Sequence, residues 1–273
     1  MSNAKIIAVS NQKGGVGKTT TAINLGASLA TAELRVLVVD LDPQGNSTSG
    51  LGLDKDRIEP SAYEVLMEEL DPSSAIYPTE METLDLLPAN RSLIAATVEL
   101  LDLSTREFRL RKALNQLRSR YDFILVDCPP SLGILTVNAL TASDSVLIPI
   151  QCEYFALEGL SDLMETVQRI RETLNSTLRI EGVLLTMYDD RLNLSTQIRQ
   201  NVSAYLGSRL LQTHIPRNVR LAESPSFGKP IVLYDARSKG ANSYLKLAQE
   251  ILGKNSLDTL RWSGPEPMRQ VTS

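Results

Sequence analysis

The chain has little cysteine, little aromatic residue and almost no histidine. Of its 273 residues two are Cys, four Phe, eight Tyr, one Trp and one His. The cysteines, Cys128 and Cys152, are too few for a disulfide framework and do not stand at metal-ligand spacing. That argues against a disulfide-built secreted domain and an iron–sulfur centre, and makes a reducing cytoplasm the expected compartment. One histidine, His214, leaves no Ser/His/Asp triad and reads as structural, and no paired acid–base carboxylates appear. No apolar run reaches the roughly 18 residues of a membrane span. The start, MSNAKIIAVS, lacks the charged segment and long apolar stretch of a secretion signal. An excess of positive charge is missing as well. With 28 Lys and Arg against 32 Asp and Glu the net charge is −4, which argues against a protein that coats nucleic acid over its whole surface.

The charge is nevertheless uneven. Residues 187–246 hold nine Lys/Arg and four Asp/Glu, about +5, so the remainder is about −9. A local basic patch is therefore expected in the C-terminal third. No internal repeat or low-complexity tract interrupts the chain. Apolar runs KIIAVSN (5–11), RVLVVDLD (35–42), LDLLPA (84–89), FILVDCP (123–129), SVLIPI (145–150) and EGVLLTM (181–187) alternate with segments of helical period. Near-continuous apolar strands belong to a parallel sheet covered on both faces, so the expected fold is α/β, doubly wound and mostly parallel. The pattern is lost after about Lys254, and two prolines in NSLDTLRWSGPEPMRQVTS suggest a loose tail. The expected organisation is one domain over 1–254 with a flexible 255–273.

The strand 5–11 runs into KGGVGKTT and then a helix, the context a phosphate-binding loop needs. Gly14, Gly15 and Gly17 allow backbone conformations closed to other residues and a close approach to an anion. Exposed N–H groups there, Val16 included, face the positive end of the following helix. Lys18 is placed to meet β and γ phosphates, and Thr19 to offer a hydroxyl to Mg²⁺. Asp40 and Asp42 end a buried strand at the sheet edge where α/β proteins bind ligands. A carboxylate there can order a water near a γ-phosphate or hold Mg²⁺ through water. Asp127, after the apolar run FILV, is the candidate metal acid. The alternative for each aspartate is a helix cap or turn residue.

The usual phosphate-loop pattern fails in one place, because its first glycine would fall on Gln12. KGGVGKTT resembles instead the deviant Walker A motif of the ParA/MinD group of ATPases. VLVVDLDPQGNSTSGLG (36–52), FILVDCPPSLG (123–133), LIPIQCEYFALEGL (147–160) and IPRNVRLAESPSFGKPI (215–231) look like ParA/Soj chromosome-partitioning ATPases, over roughly residues 4 to 253. The resemblance implies an ATPase using ATP and Mg²⁺. It gives catalytic roles to Lys13, Lys18 and Asp42, Asp42 orienting the attacking water. It places Asp127 in the metal shell and Thr20 at the α-phosphate, and sends Lys13 across an ATP-dependent homodimer to the partner's phosphates. Met187, Pro216, Arg217 and Asn218 correspond to the purine pocket. Arg191 and Arg220 match positions that bind nonspecific double-stranded DNA.

A ParB-type partner would stimulate slow hydrolysis, and the protein would be cytoplasmic and associated with the nucleoid. The stretch after Lys254 lacks the basic amphipathic helix of MinD-like relatives, so no membrane partner is expected. Positioning of another cargo (a chemoreceptor cluster or carboxysome), or MinD-like division-site regulation, would use the same motifs. The basic segment 106–120 reads as a solvated helix with Leu110, Leu114 and Leu117 buried, or as an extension of the basic patch.

Overall fold

The computed structural model describes residues 4–153 and 156–255. The expected tail beyond Asn255 lies outside the described residues. Eight strands form one sheet: β1 (Lys5–Val9), β2 (Val36–Asp40), β3 (Tyr77–Pro78), β4 (Leu84–Leu87), β5 (Phe123–Asp127), β6 (Ser145–Gln151), β7 (Arg179–Tyr188) and β8 (Leu210–Pro216). Their order is β3-β4-β2-β5-β1-β6-β7-β8. Among the described residues only the short β3–β4 pair is antiparallel.

The helices are α1 (Lys18–Ala30), α2 (Asn46–Gly50), α3 (Ala62–Met67), α4 (Leu93–Glu99), α5 (Arg109–Leu117), α6 (Ile134–Ala142), α7 (Ala156–Thr173), α8 (Asn193–Leu206), α9 (Val219–Glu223), α10 (Ile231–Tyr234) and α11 (Lys239–Lys254). The strands are apolar at successive positions because helices cover both faces. In β1, Ile6 and Ala8 enter one core, and Ile7 and Val9 the other; β2 and β5 divide in the same way. The helix α1 comes close to the sheet at Gly26, where a Cβ would stand 3.0 Å from Val38.

Two strands have no counterpart among the apolar runs. β3 is two residues long, includes a proline and sits at the sheet edge, where proline is tolerated. β8, LLQTHIP, lies at the opposite edge and carries polar side chains, so it lacks the continuous apolar run of the central strands. Its pairing with β7 is irregular, and the Glu250 carboxylate of α11 accepts hydrogen bonds from the Gln212 and Thr213 amides at 2.8 and 2.9 Å.

Within 106–120, the helix α5 buries Leu110, Ala113, Leu114 and Leu117. Several cations of this segment pair inside the chain: Lys112 and Arg109 with Glu68, Arg106 with Glu107, and Arg118 with Asp144. The buried leucines are those expected of a solvated helix with one apolar face.

Candidate nucleotide site

The site forms where β1, β2 and β5 end. Register pairs Asp127 with Val9 on one side and Asp40 on the other. Two carboxylate turns and the glycine loop therefore meet at one edge of the sheet. Asn11 fixes the start of the loop: its amide donates to the Pro149 carbonyl at 2.7 Å, and its oxygen accepts from the Lys13 amide at 3.0 Å. Gly15 and Gly17 have φ of 75° and 88°, in the left-handed region that favours glycine. Gly14 does not, but a Cβ at Gly14 or Gly15 would meet nothing of its own chain within 4 Å. The space beside the loop is thus open, as a phosphate cradle requires. Val16 is buried, and its carbonyl accepts from the Thr186 hydroxyl of β7 at 2.8 Å.

Lys18, 7% exposed, donates from Nζ to the Lys13 carbonyl at 2.8 Å. Burial lowers its pKa, opposed chiefly by the neighbouring Asp127 carboxylate. Asp127 is fully buried. Its Oδ2 accepts from the Ser47 hydroxyl at 2.8 Å, while its buried Oδ1 has no hydrogen-bond partner among the described residues. Burial raises the Asp127 pKa, Asp40 adds to the rise, and the Ser47 and Thr19 hydroxyls oppose it. Two buried carboxylates side by side lack sufficient positive charge to balance them.

The donor set fits Mg²⁺, although no group of three or more His, Cys, Asp or Glu could hold a metal among the described residues. Mg²⁺ keeps several waters and takes one or two protein oxygens together with phosphate. The orphaned Asp127 Oδ1 and the neighbouring Thr19 hydroxyl are such oxygens. Asp42 lies at the rim, 8% exposed, with Oδ1 accepting from the Gln44 amide at 3.0 Å.

Asp40 accepts hydrogen bonds at both of its oxygens. Its Oδ1 accepts from the Asp42 amide at 3.1 Å, and its Oδ2 from both the amide and the hydroxyl of Thr48 at 2.8 Å. The Thr48 hydroxyl accepts in turn from the Ala89 amide at 2.9 Å. Through Oδ2 and Thr48, Asp40 ties α2 to the ends of β2 and β4, while Oδ1 holds the turn at Asp42. Ser47 and Thr48, adjacent on α2, each hold one of the buried carboxylates. Sequence reasoning missed both, although they stand in the quoted stretch 36–52.

Beside the loop lies a cavity of about 250 Å³, lined by Gly17, Thr20, Met187, Pro216, Arg217 and Asn218 among others. The resemblance named most of these, but not Thr186 on β7 or Tyr244 on α11, which also line it. The Tyr244 hydroxyl is 3.2 Å from that of Thr21 on α1, which brings the C-terminal helix against the loop helix. Met187 has a φ of 52°, and the Asn218 side chain caps α9 by accepting from the Leu221 amide at 3.2 Å.

At the mouth of the loop, Lys13 Nζ stands 3.2 Å from Glu153. A groove lined by Pro43, Pro129, Ile134 and Leu101 adjoins the carboxylate turns, and Ile94, Val98 and Leu101 nearby in sequence are exposed. Arg191 and Arg220 lie on the surface. Arg191 is paired with Asp189 at 2.7 Å, and Arg220 with Glu223 at 3.0 Å and Asp235 at 3.6 Å. Exposed pairs of this kind are weak, so each arginine can exchange its carboxylate for a phosphate. His214 is half-buried against Tyr188, with ring centroids 4.3 Å apart.

Comparison with known proteins agrees with this architecture. The family model described as an AAA domain (AAA_31) matches residues 4–180, more than half of the chain. The sporulation initiation inhibitor protein Soj of Bacillus subtilis is 56% identical over 247 residues, covering 90% of this chain and 98% of its own length. The chromosome partitioning protein ParA of Myxococcus xanthus is 54% identical over 252 residues, covering 92% and 89%. A crystal structure of cobyrinic acid a,c-diamide synthase from Mycobacterium smegmatis, with bound ATP analog and magnesium, superposes with a TM-score of 0.83 at 38% identity, covering 93% and 96%. Matched over nine-tenths of its length by relatives of more than half identity, the chain belongs to the ParA/Soj-type family of ATPases.

Proposed function

We propose that this chain is an ATP-hydrolysing switch that dimerises with ATP, binds nonspecific DNA of the nucleoid and drives chromosome or plasmid partitioning with a ParB-type partner. The observation that carries the reading is the buried Lys18 ammonium and the orphaned Asp127 oxygen at the same sheet edge as an open glycine loop. Residues 1–254 act in it as one ATPase domain. Backbone amides of Gly14 to Thr19, with Lys18, hold the phosphates; Thr20 adjoins the α-phosphate. Met187, Pro216, Arg217 and Asn218 receive the base. Thr19 and Asp127 hold Mg²⁺, which neutralises phosphate charge when bound. Asp42 orients the attacking water, and Asp40 keeps α2 in place rather than binding metal.

Neither the loop 11–19 nor the turns 40–46 and 127–133 contain an arginine. Slow intrinsic turnover follows, since such a residue is worth about 10³–10⁵ in rate. Lys13 exchanges Glu153 for the partner subunit's phosphates, and the apolar groove with Ile94, Val98 and Leu101 gives that subunit surface to cover. Arg191 and Arg220 then contact DNA phosphates. A dimer offers two such patches, so ATP raises avidity without new contacts. Among the described residues no helix is long and apolar enough to cross a membrane, and the working place is the cytoplasmic nucleoid. The higher identity of the partitioning relatives, against 38% for the synthase, favours this reading over biosynthesis.

The test is DNA binding with ATP against ADP, across a salt series. ATP alone supports tight binding, and Arg191→Ala and Arg220→Ala each weaken it regardless of sequence. Each variant also lowers the salt slope by about one, because one phosphate fewer is neutralised. Equal binding in both nucleotides, or unchanged binding by the variants, contradicts the reading.

A further inference from the structure

The Ser47 hydroxyl has no part in the reaction outlined above, yet it is wholly buried and donates to Asp127, the carboxylate assigned above to Mg²⁺. Ser47 is the second residue of α2, 80 residues from Asp127 in sequence. The turn beneath it is fixed independently. The Gly45 amide donates to the Asp42 carbonyl at 2.8 Å, Gly45 has a φ of 61°, and Thr48 is bonded to Asp40. The hydroxyl is therefore held in place rather than merely filling space.

Rotation of an aspartate carboxylate about its last bond is broad and nearly two-fold, so the two oxygens are not distinguished by the side chain itself. In this chain they are distinguished. Ser47 occupies Oδ2, while Oδ1 has no hydrogen-bond partner among the described residues. We propose that Ser47 is a positioning residue for the divalent cation: its hydroxyl pins Asp127 Oδ2, so that Oδ1 is the oxygen that would serve the cation. The inference rests on the reading that Asp127 serves the metal, and adds the residue that orients it.

A consequence follows for the segment as a whole. Asp42 and Ser47 stand on one tight turn, so the same seven residues (positions 42–48) set the side chain that orients water and the one that orients the metal ligand. Groups hydrogen-bonded to a metal ligand typically change metal affinity by about 10- to 100-fold when removed.

The experiment measures binding of a fluorescent ATP analogue to the full chain, first in EDTA and then across a Mg²⁺ titration. Ser47→Ala raises the Mg²⁺ concentration for half-maximal effect by about 10-fold or more. Its affinity for the analogue in EDTA stays within about two-fold of the unmodified chain, because the Ser47 hydroxyl bonds Asp127 and Ser47 does not line the base cavity. Ser47→Cys keeps the volume but offers only a weak donor. It shifts the Mg²⁺ midpoint in the same direction, and carries the test if the alanine variant does not fold. Asp127→Asn is the third arm. If it raises the midpoint and the Ser47 variants do not, the positioning role is overturned while the metal role of Asp127 stands. If Asp127→Asn leaves the midpoint unchanged, the metal reading itself fails and takes the inference with it. An equal loss of affinity in EDTA and in Mg²⁺ overturns it too, because that is general damage to the site.

Discussion

Asp42→Ala binds ATP about as tightly as the unmodified chain and releases phosphate about 10²- to 10⁴-fold more slowly, the range spanned by a positioned proton acceptor. The two effects separate because the turn does not depend on this side chain. Asp42 contributes its amide to the Asp40 carboxylate and its carbonyl to the Gly45 amide, and both bonds survive truncation. What disappears is the carboxylate at the rim and its bond to the Gln44 amide. Neither belongs to the loop that holds phosphate. Equilibrium nucleotide binding and single-turnover phosphate release on the same preparation check the claim. A variant that loses binding and turnover together assigns Asp42 to the cradle, and one that hydrolyses normally removes it from the reaction.

Lys18→Ala has the larger effect on binding. Removing one partner of a buried, hydrogen-bonded charge costs about 2–5 kcal/mol, or roughly 30-fold to 4,000-fold in affinity at 1.4 kcal/mol per decade. Lys18 falls in this class: it is 7% exposed, donates to the Lys13 carbonyl, and lies near enough to Asp127 and Asp42 for their charges to favour its own. Without it the anionic phosphates approach two buried carboxylates with one less positive charge between them. Lys18→Arg does not rescue binding, because a planar guanidinium cannot take the place of a compact ammonium in so enclosed a position. Calorimetric titration with Mg²⁺-ATP and Mg²⁺-ADP measures the loss. Affinity within about five-fold of the unmodified chain contradicts the assigned role.

The parts of this site that the sequence displays are those whose residues are neighbours in the chain. The strand–loop–helix of residues 5–30 is one such unit, and glycine, lysine and threonine do their work within nine residues. Asp127 was legible because an apolar strand runs into it. Ser47 was not, because its partner is 80 residues away and nothing about a serine in a polar stretch indicates which carboxylate it meets. Asp40 illustrates the same limit from the other side. Its position at a strand end suggested metal or water, but the Thr48 amide and hydroxyl take up Oδ2 and the Asp42 amide takes up Oδ1, and only the folded turn reveals that.

The cavity beside the loop divides similarly. Residues 216–218 follow from resemblance, whereas Thr186 and Tyr244 reach it through packing of β7 and α11. In the fold, continuous apolar runs announced six strands. The edge strands β3 and β8 were silent, since a strand with one free edge has no need of an unbroken apolar run. Likewise the carboxylates facing Arg191 and Arg220 include Asp235, fifteen positions from Arg220, which no local pattern discloses.

The central claim is that ATP assembles two subunits through Lys13, and the most direct measurement is molecular mass in solution by sedimentation equilibrium. It is made on the Asp42→Ala chain, so that ATP persists, with Mg²⁺-ATP and with Mg²⁺-ADP. The account predicts a dimer with ATP and a monomer with ADP. Adding Lys13→Ala returns the ATP form to monomer while the nucleotide remains bound. The same mass in both nucleotides, or a Lys13→Ala chain that dimerises as before, contradicts it.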